Sequence, residues 1–111
     1  MRPFAKGAVA ACVALAVSTG LAEAAGSQQA GRDKARQCAV CHGIDGVAKR
    51  PDVPNIGGES EIYLKKQLEA FRSGERRHEQ MSIIAEGLDD TDIADLVAWY
   101  ASILFEVKLP D

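Results

Sequence analysis

The chain is 111 residues long, carries 13 Lys and Arg against 16 Asp and Glu for a formal net charge of −3, and is only 5% aromatic. That length holds one small domain, and the acidic balance lacks the basic surface that nucleic-acid binding requires. No internal repeat, paired-carboxylate motif, Ser/His/Asp arrangement or phosphate-binding glycine loop stands out, which argues against common hydrolytic and nucleotide-dependent chemistries.

Arg2 and Lys6 make a basic start, Gly7 to Leu21 is apolar and alanine-rich, and Ala22-Glu23-Ala24 has the small-x-small spacing that signal peptidases recognise. Residues 1–25 therefore read as a cleaved secretory signal peptide, cut after Ala24 or Ala25. The apolar run falls short of the ~20 residues that a spanning helix needs, so stable membrane insertion is not expected after cleavage. Cys12 leaves with the leader, because apolar sequence continues past it where a lipidated mature chain would turn polar. Removing 25 of the 111 residues leaves 86, with 11 basic against 15 acidic side chains once Arg2, Lys6 and Glu23 are gone. Residues 26–111 are then a single domain with a modest core of its own.

Residues 28–41 are polar, small and free of proline, and predict a helix. Its apolar positions, Ala30, Ala35 and Ala39, are small enough to let another helix approach closely. It ends in Cys38-Ala39-Val40-Cys41-His42, the arrangement that covalent attachment of a c-type haem requires. Two thiols add across the vinyl groups on one porphyrin edge, and the adjacent imidazole reaches the iron. Zinc would want four protein ligands, and beyond this motif the mature chain adds only His78 and no further cysteine. A thioredoxin-like redox pair would need a βαβ pattern, which the chain lacks, and a disulfide across two residues closes too small a loop to stabilise much. The scarcity of aromatic side chains also suits a core whose centre is a porphyrin.

Gly43, Asp45, Gly46, Pro51, Pro54 and Gly57-Gly58 make the following stretch a loop, long for so small a domain and so expected to have a function. A helix over 60–73 is predicted next: Ser60 as N-cap, Glu61 in the first turn, Leu64, Leu68 and Phe71 on one face, and Gly74 as the stop. Residues 75–87 open with the charged run Glu75-Arg76-Arg77-His78-Glu79 and then turn apolar. Met81, the one methionine outside the leader, is the candidate for the second axial iron ligand, with His78 its competitor. The last helix starts at an Asp89 N-cap, and Ile93, Leu96, Val97, Tyr100 and Leu104 mark its apolar face. Ala94, Ala98 and Ala101 would allow it to cross the N-terminal helix tightly; Trp99 is assigned to packing, and Pro110 marks the end.

Together these pieces resemble the small bacterial class I c-type cytochromes, found singly or as halves of tandem two-haem periplasmic proteins. The resemblance rests on Cys38 to Gly43, Pro54-Asn55-Ile56-Gly57-Gly58, Tyr63 to Leu68 with Phe71-Arg72-Ser73-Gly74, Met81, and Leu88 to Ser102. It implies an all-α class I cytochrome c fold, about three to five helices enclosing one haem c bound through Cys38 and Cys41. It further implies His42 as proximal ligand, the Pro54 carbonyl as acceptor for the other imidazole N–H, and Met81 as distal ligand. Two departures stand out: Met81 lacks the proline that often follows the ligand in this group, and the run before it is more charged and bears a histidine. Whether Tyr63 or Arg72 meets a haem propionate is left open by the resemblance.

The function expected is periplasmic one-electron transfer rather than enzymatic turnover, since an iron held on both axial sides by protein has no position for substrate. Electron donor and acceptor proteins are the expected partners, met transiently by a monomer. The alternative is a haem-bearing subunit of a larger periplasmic oxidoreductase. A haem enzyme or sensor would need a displaceable sixth ligand.

Overall fold

The computed structural model describes residues 3–4 and 25–111, so the expected leader lies almost wholly outside the described residues. Five helices follow one another: α1 (Gln28–Lys34), α2 (Arg36–His42), α3 (Glu61–Ser73), α4 (Met81–Glu86) and α5 (Asp90–Ala101). The described residues contain no strand, so the all-α expectation holds.

The N-terminal helix is not continuous as expected but breaks at Ala35. There the N–H of Cys38 turns to the Ala35 carbonyl (3.0 Å), tightening one turn where a fully buried alanine meets the core. α1 packs along α5 at a distance only glycine permits. A Cβ on Gly31 would overlap the Asp95 carbonyl and sit 2.8 Å from the Trp99 Cβ, and one on Gly26 would overlap the Ala94 carbonyl. The tight crossing was expected from alanines; the glycines on the facing segment make it.

Charge fastens the same seam. Lys34 Nζ lies 2.7 Å from Asp92 Oδ1 and 2.8 Å from Asp95 Oδ2, and the Ser27 N–H donates to the buried Asp95 carboxylate over 2.7 Å. Lys34 holds both carboxylates below the usual range, helped by the backbone N–H of Asp89 at Asp92 and of Ser27 at Asp95.

α3 starts and stops where its sequence says. Ser60 Oγ accepts from the Tyr63 N–H (3.2 Å), and Gly74 closes the helix in a left-handed conformation, φ 82°. α5 opens with a reciprocal cap in which Asp89 Oδ1 accepts from the Asp92 N–H (2.7 Å) and Asp92 Oδ2 from the Asp89 N–H (3.1 Å). Its inner face puts Ile93 and Leu96 at 1% exposure among Leu64, Leu88, Val97 and Tyr100. Each of those two stabilises the fold by about 1.5–3 kcal/mol through removal from water.

The stripe does not extend to Leu104, which is 94% exposed. The helix ends at Ala101, well before Pro110, because the Tyr100 carbonyl turns to the Gly58 N–H (2.8 Å) and Phe105 folds back against Gly57 and Gly58. The chain leaves the helix there to cover the loop.

Candidate functional site

On a helix, positions i, i+3 and i+4 share a face. α2 therefore presents Cys38, Cys41 and His42 together, and all three line one cavity of about 360 Å³. Its other walls come from Leu64, Leu68 and Phe71 of α3, Met81 and Ile84 of α4, Leu96, Val97 and Tyr100 of α5, and Pro54 of the loop. The size suits a bound organic cofactor, and the lining is mostly apolar with a few polar groups converging on it.

His42 is 8% exposed and its Nδ1 stands 2.8 Å from the Pro54 carbonyl. A carbonyl oxygen only accepts, so Nδ1 carries the proton and Nε2 keeps its lone pair. This is the tautomer that an imidazole needs to bind a metal through Nε2. The 43–59 loop thus has a definite role: it carries Pro54 back to the helix that it left.

Two aromatic side chains of α5 fix the start of that loop. Tyr100 Oη donates to the buried Gly43 carbonyl (3.0 Å), and Trp99 Nε1 donates to the Ile44 carbonyl (2.9 Å). Burial, with the Cys38 and Asp45 charges, pushes the Tyr100 hydroxyl above its usual range. Trp99 packs against the core outside the cavity lining, its ring covered by the Arg32 guanidinium at 5.6 Å.

Both cysteines are free and half-buried, and burial pushes the Cys38 thiol up to about 11. Among the described residues no group of three or more His, Cys, Asp or Glu side chains is placed to hold a metal ion. A porphyrin fits the same residues well: two thiols and one imidazole on a single helix face, opening into an apolar cavity that also receives a thioether.

Met81, His78 and Tyr63 all line the cavity. Arg72 does not, because its guanidinium donates to the Leu88 carbonyl (3.2 Å) and to Asp90 (2.7 Å). The cavity's arginine is Arg76, 4.5 Å over the Phe71 ring and 2.8 Å from Gln67 Oε1. The sequence places Arg76 in a charged run, and it is exposed as such a run should be while also lining the cavity. Its position two residues past a glycine stop, where the chain turns back to the cavity, was the available signal.

The sequence model of the cytochrome c family matches residues 24–103. Cytochrome c4 of Pseudomonas aeruginosa is 41% identical over 93 residues, 84% of this chain and 46% of that protein. Cytochrome c-554(548) of Halomonas halodenitrificans is 43% identical over 81 residues, covering 70% of this chain and 98% of its own length. Among solved structures, reduced cytochrome c4 from Pseudomonas stutzeri aligns with a TM-score of 0.70 at 32% identity, over 78% of this chain and 50% of that one. A thiosulfate dehydrogenase from Marichromatium purpuratum aligns with a TM-score of 0.65 at 34% identity, over 69% of this chain and 19% of that one. The chain spans about half the length of the cytochromes c4 that it matches.

Proposed function

The chain belongs to the cytochrome c family, carrying a c-type haem on Cys38 and Cys41 for electron transfer, and we propose that it is a periplasmic one-electron carrier with His42 and Met81 as axial ligands. The observation that carries this reading is the 2.8 Å contact of His42 Nδ1 with the Pro54 carbonyl, in a cavity shared by both cysteines and Met81. Bound haem supplies an iron that cycles between ferrous and ferric states.

The protein's residues do the rest. Pro54 orients the imidazole and raises its basicity as a donor. Met81 offers a soft thioether that favours the ferrous state, and the apolar walls from Leu64, Leu68, Leu96 and Val97 penalise the extra ferric charge. Both effects raise the reduction potential. With protein on both axial sides no position remains for substrate, so the site exchanges electrons with redox-partner proteins across a small, weak interface.

Export is supported by the leader-like residues 1–25, and among the described residues no helix is long and apolar enough to cross a membrane. The likeness to a thiosulfate dehydrogenase chain supports a second reading, in which this domain serves as the haem-bearing subunit of a larger periplasmic oxidoreductase.

The test is the visible spectrum of the exported protein and of Met81→Ala. A low-spin c-type spectrum with a ferric methionine–iron charge-transfer band is expected, and Met81→Ala should abolish the band and lower the potential. If neither changes, Met81 is not the ligand. A high-spin spectrum or a CO-binding ferrous form would favour a haem enzyme or sensor. Size-exclusion chromatography of native extract separates the two carrier readings: a free carrier elutes as a small monomer, a subunit with its enzyme.

A further inference from the structure

His78, in the charged run before α4, lines the cavity but has no part in the proposed haem attachment or ligation. His78 Nδ1 accepts from the backbone N–H groups of Gln80 (3.2 Å) and Met81 (3.3 Å). The His78 N–H donates to Ser82 Oγ (2.9 Å), and the Ser82 N–H returns to the His78 carbonyl (3.0 Å). The imidazole edge meets Phe71 of α3 at 6.5 Å between ring centres and 72° between planes.

These bonds do for α4 what a helix-capping side chain does. The first N–H groups of a helix have no partner inside it, and here the residue at the N-cap position, Gln80, makes no side-chain bond to them. His78 takes that place from two residues upstream. The helix that it starts has Met81 as its first residue, so the imidazole and the thioether are set by the same turn.

Resting on the reading of Met81 as distal ligand, we propose that His78 is a positioning residue for Met81: its imidazole caps α4 and holds the thioether side chain at the haem cavity. The capping role also argues against the competing one. An Nδ1 that accepts two N–H groups uses its lone pair on them, which leaves the ring proton on Nε2 and no lone pair there for iron. Phe71, buried in the wall of the same cavity, braces the ring from α3 and ties the turn to the domain.

The test uses holoprotein carrying His78→Ala, His78→Asn or His78→Gln, and titrates exogenous imidazole against Met81 at the ferric iron while following the charge-transfer band. Asn places an acceptor oxygen at the position of Nδ1, whereas Gln places its own further out, near Nε2. Imidazole should bind about fivefold tighter to the Ala and Gln variants, the equivalent of a lost cap of about 1 kcal/mol, and with wild-type affinity to the Asn variant. Haem content should not change.

Unchanged affinity in all three variants, with a normal band in the wild type, overturns this inference alone. An Asn variant that behaves like Ala overturns it too, since the effect would not run through the Nδ1 acceptor. Loss of the low-spin spectrum in both Ala and Asn variants would make His78 the ligand itself. A wild-type protein without the band overturns the His/Met assignment and this inference together.

Discussion

Tyr100 reaches from the last helix to the backbone of Gly43, the residue after His42, and donates to its carbonyl over 3.0 Å in a buried setting. One hydroxyl thus links α5 to the segment next to the His42 imidazole. In Tyr100→Phe the ring still fills its place, but the Gly43 carbonyl loses one of its two donors and keeps the Gly46 N–H at 3.2 Å. One hydrogen bond lost from an acceptor that keeps another costs about 0.5–1.5 kcal/mol, so the holoprotein should melt a few degrees lower with its visible spectrum intact. An unchanged melting temperature would mean that water takes the place of the hydroxyl.

Gly31→Ala is expected to be worse than its size suggests. The added methyl group would overlap the Asp95 carbonyl, which is backbone and cannot swing aside, so α1 and α5 must part. Overpacking of this kind costs about 1–3 kcal/mol. Gly74→Ala, where a Cβ meets nothing within 4 Å but φ is 82°, isolates the conformational part of such a change. Thermal melts of the two variants compare steric with conformational strain, and Gly31→Ala should lose more; equal losses would contradict the close helix contact.

Acid should weaken the α1–α5 seam and mild alkali should not. Asp92 and Asp95 are held below their ordinary values by Lys34, so the folded chain releases these protons more readily than the unfolded one. Their contribution is complete above the unfolded value of about 3.9 and is lost as pH falls through the lower folded values. Lys34 is raised by the same partners, first by Asp92, so its contribution is intact below its ordinary value of about 10.4 and fades only at higher pH. The melting temperature should be level from about pH 5 to 9 and drop below about pH 4. In Asp95→Asn the acid drop should be shallower; an identical drop would place the acid-sensitive group elsewhere.

The haem should be a condition of folding. Without haem the mostly apolar walls of the cavity, Leu64, Leu68, Leu96 and Val97 among them, stay open to water, and a domain this small has little other apolar surface to bury in their place. The Cys38→Ser/Cys41→Ser double variant should therefore keep some helix by far-ultraviolet circular dichroism but show no cooperative melt. A sharp transition near that of the holoprotein would show that the cavity walls collapse on themselves.

Much of this was legible in the chain. The haem motif, the Ser60 and Asp89 caps, the Gly74 stop and the Ile93 to Tyr100 stripe are local patterns whose geometry follows from residues at most four apart. What stayed hidden depends on distant partners. The break at Ala35 follows from burial against the core, and the early end of α5 from a bond between Tyr100 and Gly58, forty-two residues apart. Leu104 continues the helical spacing, and nothing in that spacing says that the backbone has already turned away. Gly31 reads as a weakness in a helical stretch, and Gly26 as an unremarkable residue before it, until the neighbouring helix is seen to need the room. The imidazole of His78 was weighed against iron, and its own backbone neighbours were not considered.

The burial of Cys38 also dictates an order of assembly. Its sulfur lines a cavity walled by α3, α4 and α5, and burial there pushes the thiol up, away from the thiolate that reacts. Vinyl groups meet this sulfur most easily while the surrounding helices are still open, and closure afterwards seals the finished thioether inside. Maturation comes first and packing second, so a chain that folded early would shut out the group it was made to hold.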